Sequence, residues 1–258
     1  MSRLACRAYA IVAYLIFLVA FLYAIGFTGG LLVPKAIDDG VPSDPWTSVA
    51  VDLGLLTLFA VQHSVMARAG FKRRWTRIVP RPIERSTYVL LASLCLLLLF
   101  WQWRPLPAPV WSIATPAGAA AMQAVFWMGW LTVLASTFMI SHFDLFGVKQ
   151  AFAAWRTRAE ADTHLRTPML YRYVRHPIYL GFLLAFWAAP VMSVGHLLFA
   201  AVTTGYILVG IRLEERDLVA VFGDRYRRYR ARVGMLLPRL SPFGRDPARG
   251  RTGHGMRG

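Results

Sequence analysis

The chain has 258 residues, of which 57% are hydrophobic and only 16% are charged. A soluble domain usually carries about 25% charged residues, whereas this chain contains runs of about 20 apolar residues, enough to cross a bilayer. The composition therefore excludes a soluble globular domain and predicts an all-α, polytopic integral membrane protein.

The formal net charge of +16 raises the question of a nucleic-acid partner. In a membrane protein the same excess follows from basic residues kept on the cytoplasmic side, so membrane lipids are expected as partners and nucleic acid is not. Cys6 and Cys95 lie in or near apolar runs and offer neither a disulfide framework nor zinc-ligand spacing. No metal site is predicted.

Four spanning helices are predicted in the first part of the chain. The first apolar run is longer than the hydrophobic region of a signal peptide and no small-residue cleavage site follows it closely, so it is predicted to be retained. Gly29, Gly30 and Pro34 end this helix. The four helices cover residues 8–28, 47–66, 86–103 and 117–140.

An apolar hairpin follows at residues 182–209 and divides near Pro190 and Gly195. Its two arms have about 17 residues each, at the lower limit for crossing a bilayer. The prediction is therefore five or six membrane segments. Beyond the hairpin, residues 222–230 form a cytoplasmic amphipathic basic helix, which lies on the membrane surface or acts as a lid over the polar groups.

The basic residues indicate the orientation of the chain. All of the 29 Lys and Arg residues except Lys35 and Arg104 fall on one side of the predicted membrane segments. By the positive-inside rule this side is cytoplasmic, so both termini face the cytoplasm, and a bacterial inner membrane is expected. Residues 1–243 are predicted to form one domain, and residues 244–258 a disordered basic tail.

A polar junction precedes the hairpin at residues 175–181, with sequence RHPIYLG. Pro177 suits a first helical position, and a helix start favours an anionic group. Because the hairpin returns to the same face, Glu214 and Glu215 are expected beside Arg175 and His176. This arrangement predicts a site for a ligand with a carboxylate and a cation, as in S-adenosylmethionine; the alternative is an ion pair of the glutamates with a neighbouring arginine.

Two further histidines lie near the same face. His63, within the second helix, is costly at membrane depth and is expected to face a polar cavity or a helix–helix partner. His142 lies two residues before Asp144, and a carboxylate beside an imidazole can raise its basicity. Residues two apart do not face each other on a helix, so this contact requires a turn, and a helix-ending cap is the alternative.

The ordered set of motifs in the last 90 or so residues resembles the isoprenylcysteine carboxyl methyltransferase superfamily. This set is the RHPIYLG run, the apolar hairpin, Glu214-Glu215, and the run FGDRYRRY at residues 222–229. Upstream, residues 62–68, 84–88 and 142–150 resemble a narrower group, the bacterial methanethiol S-methyltransferases and the related NnrU-like membrane proteins. The chain has Gly234 after Val233, where the family pattern has proline.

The resemblance implies methyl transfer from S-adenosylmethionine to methanethiol, within a cofactor-binding part at about residues 141–240. No G-x-G-x-x-G or βαβ pattern is present, which excludes a soluble Rossmann methyltransferase. The acceptor side is expected to use His142 oriented by Asp144, or His63, as base, and Arg85 to stabilise the thiolate. The cofactor side is expected to use Gln150, Tyr171, Arg175, His176, Tyr179, Gly181, Glu214 and Glu215.

Two alternatives stay open. One is methylation of a prenylated cysteine carboxylate, which requires a wide opening towards the lipid. The other is a non-catalytic carrier or accessory membrane protein that consumes no methyl donor. A transporter is disfavoured because neither a repeat nor a pair of broken helices is seen in the sequence.

Overall fold

The computed structural model describes residues 2–41, 43–153 and 167–239. Over these ranges the chain is mostly helical, with one small antiparallel sheet. The strands are β1 (Pro109–Ser112) and β2 (Val191–Ser193). The helices are α1 (Arg3–Gly29), α2 (Pro45–Ala67), α3 (Ala69–Trp75), α4 (Glu84–Gln102), α5 (Pro116–Ile140), α6 (His142–Leu145), α7 (Val148–Ala153), α8 (Pro177–Trp187), α9 (Val194–Phe222) and α10 (Asp224–Arg232).

Five of these helices are long and apolar enough to cross a membrane: α1, α2, α4 with its preceding turn, α5 and α9. Their ends follow local chemistry. Asp44 caps α2 by accepting a hydrogen bond from the Thr47 amide at 2.8 Å, with Pro45 in the first helical turn. The left-handed Gly30 (φ 65°) ends α1. The predicted all-α polytopic class is confirmed.

The prediction of two equal hairpin arms is wrong. The first arm, α8, has 11 residues and the second, α9, has 29. At about 1.5 Å per residue, α8 is too short to cross a bilayer. It begins at Pro177, as predicted, but it stops at Trp187 because Pro190 cannot continue a helix. The chain then runs extended into β2, which pairs with β1.

The α8–α9 turn marks one end of the molecule. Strand β2 pairs with β1 in the loop between α4 and α5, and the Ser193 hydroxyl donates to the Asp38 carboxylate in the loop between α1 and α2. We call this the sheet end. The opposite end, which carries the loops after α2 and α5 and the segment after α9, is the basic end. Since α8 begins and α9 finishes at the basic end, the predicted return of the hairpin is confirmed.

Helix α8 is held in the bundle by close packing against α5. A Cβ atom on Gly181 would lie 2.7 Å from the Gly129 carbonyl oxygen, and one on Gly129 would lie 2.6 Å from the Ala185 nitrogen. Glycine allows the two backbones to approach in this way. A buried aromatic core lies next to this contact. It includes Phe27, Phe100, Trp103, Phe126, Trp130, Phe186 and Phe199.

The predicted amphipathic helix forms α10. Gly223, with a φ of 56° and a ψ of −129°, separates it from α9. Tyr226 is buried against the bundle while Arg225, Arg227 and Arg228 are exposed. The predicted tail, residues 244–258, lies outside the described residues.

Candidate active site

The start of α8 meets the last turns of α9 through a buried ion pair. The Arg175 Nε donates to Glu215 Oε1 at 2.7 Å, and the side chains are 7% and 11% exposed. His176 Nε2 lies 3.1 Å from the same oxygen. The sequence therefore predicted correctly that these residues lie together. Charges this deeply buried require their partners, so this contact joins α8 firmly to α9.

Arg175 also binds the last turn of α10 and the segment that follows it. Its Nη1 donates to the carbonyl oxygens of Arg230 and Val233, and its amide donates to the Gly234 carbonyl at 2.9 Å. A Cβ on Gly234 would collide with the Leu237 carbonyl, so the departure from the family pattern is matched by a tight local turn. With these partners, Arg175 has a structural role in this conformation.

Glu214 is more exposed than the neighbouring Glu215 and has a different hydrogen-bond partner. Its side chain is 46% exposed, its Oε2 accepts a hydrogen bond from the Tyr179 hydroxyl at 2.9 Å, and the same oxygen lies 4.0 Å from His176 Nδ1. Tyr171 lies within electrostatic range of this carboxylate. The junction therefore contains one neutralised carboxylate and one accessible carboxylate beside tyrosine rings.

Tyrosines enclose the junction on the side of α10. The Tyr229 hydroxyl donates to the Tyr171 carbonyl oxygen at 2.5 Å, and the buried Tyr226 hydroxyl has no hydrogen-bond partner among the described residues. Burial raises the pKa of Tyr171 and Tyr226 above the usual value and that of Tyr229 to about 12. These three hydroxyls are therefore neutral at pH 7 and can donate hydrogen bonds.

A second polar group, the His63 cluster, lies between α2, α4 and α9. The Tyr88 hydroxyl lies 2.8 Å from Nε2 and 3.0 Å from Nδ1 of the His63 ring. The Ser64 hydroxyl donates to the Tyr206 hydroxyl at 3.2 Å, and the Tyr206 ring is 6.5 Å from the His63 ring. We define the cluster as His63, Ser64, Tyr88 and Tyr206.

The His63 cluster adjoins the junction through Tyr179. Both Tyr88 and Tyr206 lie within electrostatic range of the Tyr179 hydroxyl, which itself binds Glu214. The accessible carboxylate, these tyrosine hydroxyls and a partly buried imidazole therefore lie in one region of the basic end. Such convergence of a carboxylate, hydroxyls and an imidazole at one end of a helix bundle is typical of a small-molecule site.

The predicted contact between His142 and Asp144 is not formed. His142 Nε2 lies 2.9 Å from the Tyr14 hydroxyl, and Nδ1 lies 2.8 Å from the Thr137 hydroxyl. The ring also stacks on Phe138, with centroids 4.2 Å apart and planes at 5°. Asp144 points elsewhere because residues two apart on the short helix α6 face different directions.

Asp144 instead pairs with Arg85. The Arg85 Nη1 lies 3.5 Å from the Asp144 carboxylate and donates to its backbone carbonyl at 2.9 Å. The Gln150 side chain accepts from the Arg85 amide at 3.2 Å. Arg85 lies one turn of α4 before Tyr88, and Gln150 on α7 binds the Arg85 amide. Their contacts hold α6 and α7 against α4.

The burial of His142 has an electrostatic consequence. Desolvation lowers the pKa of this imidazole below its ordinary value, so His142 is neutral at pH 7. With both ring nitrogens already bonded and only 6% of the residue exposed, it acts as a core histidine that joins α1 to α5.

Tyr88 and Tyr206 received no role in the sequence analysis, although they complete the site. The signal that would have found them is a phenolic hydroxyl within a spanning helix, where a polar group requires a partner. Gly181, predicted as a ligand contact, lies against Gly129 and Val133. This helix packing alone accounts for the glycine.

Comparisons with known proteins match this chain over most of its length. The model of a protein family of unknown function, DUF1295, matches residues 56–233. The methanethiol S-methyltransferase of Mycobacterium tuberculosis is 58% identical over 92% of this chain and 98% of its own length. The one from Crocosphaera subtropica is 47% identical over 92% and 93% of the two chains. The chain belongs to the methanethiol S-methyltransferase family.

More distant similarity extends to animals. Nurim from Xenopus laevis is 30% identical over 66% of this chain and 62% of its own length. No solved structure matches the chain. The resemblance seen in the upstream motifs, which favoured the methanethiol S-methyltransferase family within the larger superfamily, is confirmed.

Proposed function

We propose that this protein transfers the methyl group of S-adenosylmethionine to methanethiol, forming dimethyl sulfide and S-adenosylhomocysteine. The observation that carries the proposal is 58% identity to a methanethiol S-methyltransferase over 92% of this chain. The presence of Glu214 and His63 in one region of the basic end supports it, because they provide an anionic binding group and a proton acceptor at the same end of the bundle.

The chemistry of the junction fits S-adenosylmethionine on the cationic side. The Glu214 carboxylate is 46% exposed and has one hydrogen-bond donor, Tyr179, among the described residues, so it can accept an ammonium group. The neighbouring Tyr171 and Tyr179 rings suit a sulfonium, since cations bind aromatic faces. Arg175 and Glu215 neutralise each other, so they support the proposed binding site structurally and Glu214 is the carboxylate that meets the ligand.

The donor supplies an electrophilic methyl group on a sulfonium sulfur. On the acceptor side, the thiolate is the competent nucleophile, and the thiol proton must be removed as the new carbon–sulfur bond forms. A neutral imidazole has one N–H and one lone pair. When the Tyr88 hydroxyl accepts the N–H of His63, the other ring nitrogen has no partner besides this same hydroxyl among the described residues, so its lone pair can take that proton. Arg85, one turn away on α4, adds positive charge near the thiolate.

The proposed setting is a bacterial inner membrane with the basic end in the cytoplasm. The basic end carries most of the Lys and Arg residues, as the positive-inside rule requires of a cytoplasmic face. Water-soluble S-adenosylmethionine then reaches Glu214 directly, while the volatile, apolar thiol is also soluble in the bilayer.

The test uses purified protein in detergent with S-adenosylmethionine labelled in the transferred methyl group. With methanethiol, labelled dimethyl sulfide and S-adenosylhomocysteine should form in equal amounts. A prenylcysteine analogue should give neither product. Product from the prenylcysteine analogue alone would favour the carboxyl methyltransferase alternative, and no product with either acceptor would rule out both enzymes.

A further inference from the structure

A small cleft opens between α2 and α9, on the side of the His63 cluster towards the middle of the bundle. Its volume is about 120 Å³. A single water molecule needs about 10–15 Å³ by the same kind of measure, so the cleft has room for a ligand of a few heavy atoms. Its walls are formed by Leu56, Thr57, Phe59, Ala60, Val202, Thr203 and Tyr206.

The surface that lines this cleft is mostly apolar. Thr203 turns its hydroxyl to the Phe199 carbonyl of its own helix at 2.6 Å, so its methyl group is left for the cleft. Both α2 and α9 are long and apolar enough to cross a membrane, so a partly open cleft between them can admit a molecule that is dissolved in the bilayer. A charged or hydrogen-bonding ligand would lose its hydration here without compensation. The cleft therefore selects a small apolar molecule.

Tyr206 connects the cleft to the chemistry. It lines the cleft, and its hydroxyl accepts a hydrogen bond from Ser64 within the His63 cluster. Phe59, on the opposite wall, lies 5.3 Å from the His63 ring and 6.2 Å from the Tyr206 ring. A ligand in the cleft thus packs against the two rings that neighbour His63, the proposed proton acceptor.

We propose that the cleft between α2 and α9 binds the thiol substrate from the bilayer and limits that substrate to short-chain alkanethiols. The inference rests on the proposed function and assigns its acceptor site. Ala60 and Val202 then determine specificity, because both line the cleft and their size sets how long an alkyl chain can fit. A prenyl chain is far too large for this volume.

The first arm of the test fills the cleft. Ala60→Leu should raise the KM for methanethiol at least about tenfold, since pocket contacts of one or more methylene groups alter discrimination by about 10–200-fold. The control is Ala201→Leu, the same substitution at an exposed position of α9, which should leave this KM unchanged. S-adenosylhomocysteine release is measured against thiol concentration.

The second arm enlarges the cleft. Val202→Ala should raise the ratio of kcat/KM for propanethiol to that for methanethiol about tenfold. This ratio is independent of the fraction of protein that folds. Equal KM values for Ala60→Leu and Ala201→Leu, or an unchanged ratio in Val202→Ala, would overturn the cleft assignment while the wild-type protein stays active. A wild-type protein that methylates no thiol would instead overturn the proposed function, and this inference with it.

Discussion

His63 and His142 lie near the same end of the molecule and were equal candidates in the sequence, yet their surroundings differ. Both nitrogens of His142 are bonded, to Tyr14 and Thr137, and the ring is packed among aromatic side chains. His63 is partly buried, its two nitrogens share one hydroxyl, that of Tyr88, and its ring meets the cleft through Phe59 and Tyr206. An imidazole with no free nitrogen supports the fold, whereas one beside open space can exchange a proton.

The sharpest test of this comparison is His63→Gln. We expect kcat/KM for methanethiol to fall about 10²–10⁴-fold, the range for loss of a general base, with little change in melting temperature. The loss should shrink at alkaline pH, where more thiol ionises without a base. A pH-independent loss would assign His63 a merely structural role.

The converse variant, His142→Ala, should act on stability. It removes two hydrogen bonds and leaves a buried cavity, at a cost of about 2–4 kcal/mol in the free energy of unfolding. Thermal melts in detergent should show the loss, while kcat per folded molecule stays within about threefold of the wild type. A kcat as low as that of His63→Gln would reverse the two assignments.

The two neighbouring glutamates extend the same contrast between accessible and saturated groups. Glu214→Gln removes the accessible charge of the junction and should raise the KM for S-adenosylmethionine about tenfold, equivalent to about 1.4 kcal/mol. Its melting temperature should change little because the side chain is 46% exposed. Glu215→Gln is the matched control, and it should lower the melting temperature because it leaves Arg175 without its buried counter-charge.

The smallest expected effect is on the pH dependence of folding stability. Burial lowers the pKa of His142, so below about pH 6.5 the unfolded chain takes up a proton there that the folded chain does not. The folded state should therefore lose stability as pH falls below about 6.5, and this contribution should be constant above it. His142→Gln should show a shallower decline between pH 6.5 and 5 in the same detergent. Parallel curves for the two proteins would show that His142 does not titrate differently on folding.

Much of the architecture was predictable because membrane-spanning helices are determined by local composition. The four upstream helices and the start of α8 at Pro177 follow from apolar runs and proline positions. The unequal hairpin was not predictable in the same way. Its first arm is ended by Pro190 and by pairing of β2 with a strand some 80 residues earlier, and strand pairing at that distance leaves no local pattern.

The site was predicted in part for a related reason. Charge pairs such as Arg175 with Glu215 follow once the hairpin returns to one face. The partner of His142 did not follow, because it is Tyr14 on the first helix, and sequence spacing favoured the nearby Asp144. Tyr206 was missed because its role depends on facing Ser64 across two helices.

Helix α8 is attached at both of its ends. The amides of Arg175 and His176 bind the carbonyls of Gly234 and Met235 at the basic end, and β2 binds β1 at the sheet end. With only 14 residues between these anchors, 11 of them helical, α8 has no freedom to slide along α5. The number of residues between the anchors therefore sets the position of the Tyr179 hydroxyl along the helix axis relative to Glu214. One residue inserted in α8 would move the Tyr179 hydroxyl away from the Glu214 carboxylate, although every side chain of the site would still be present.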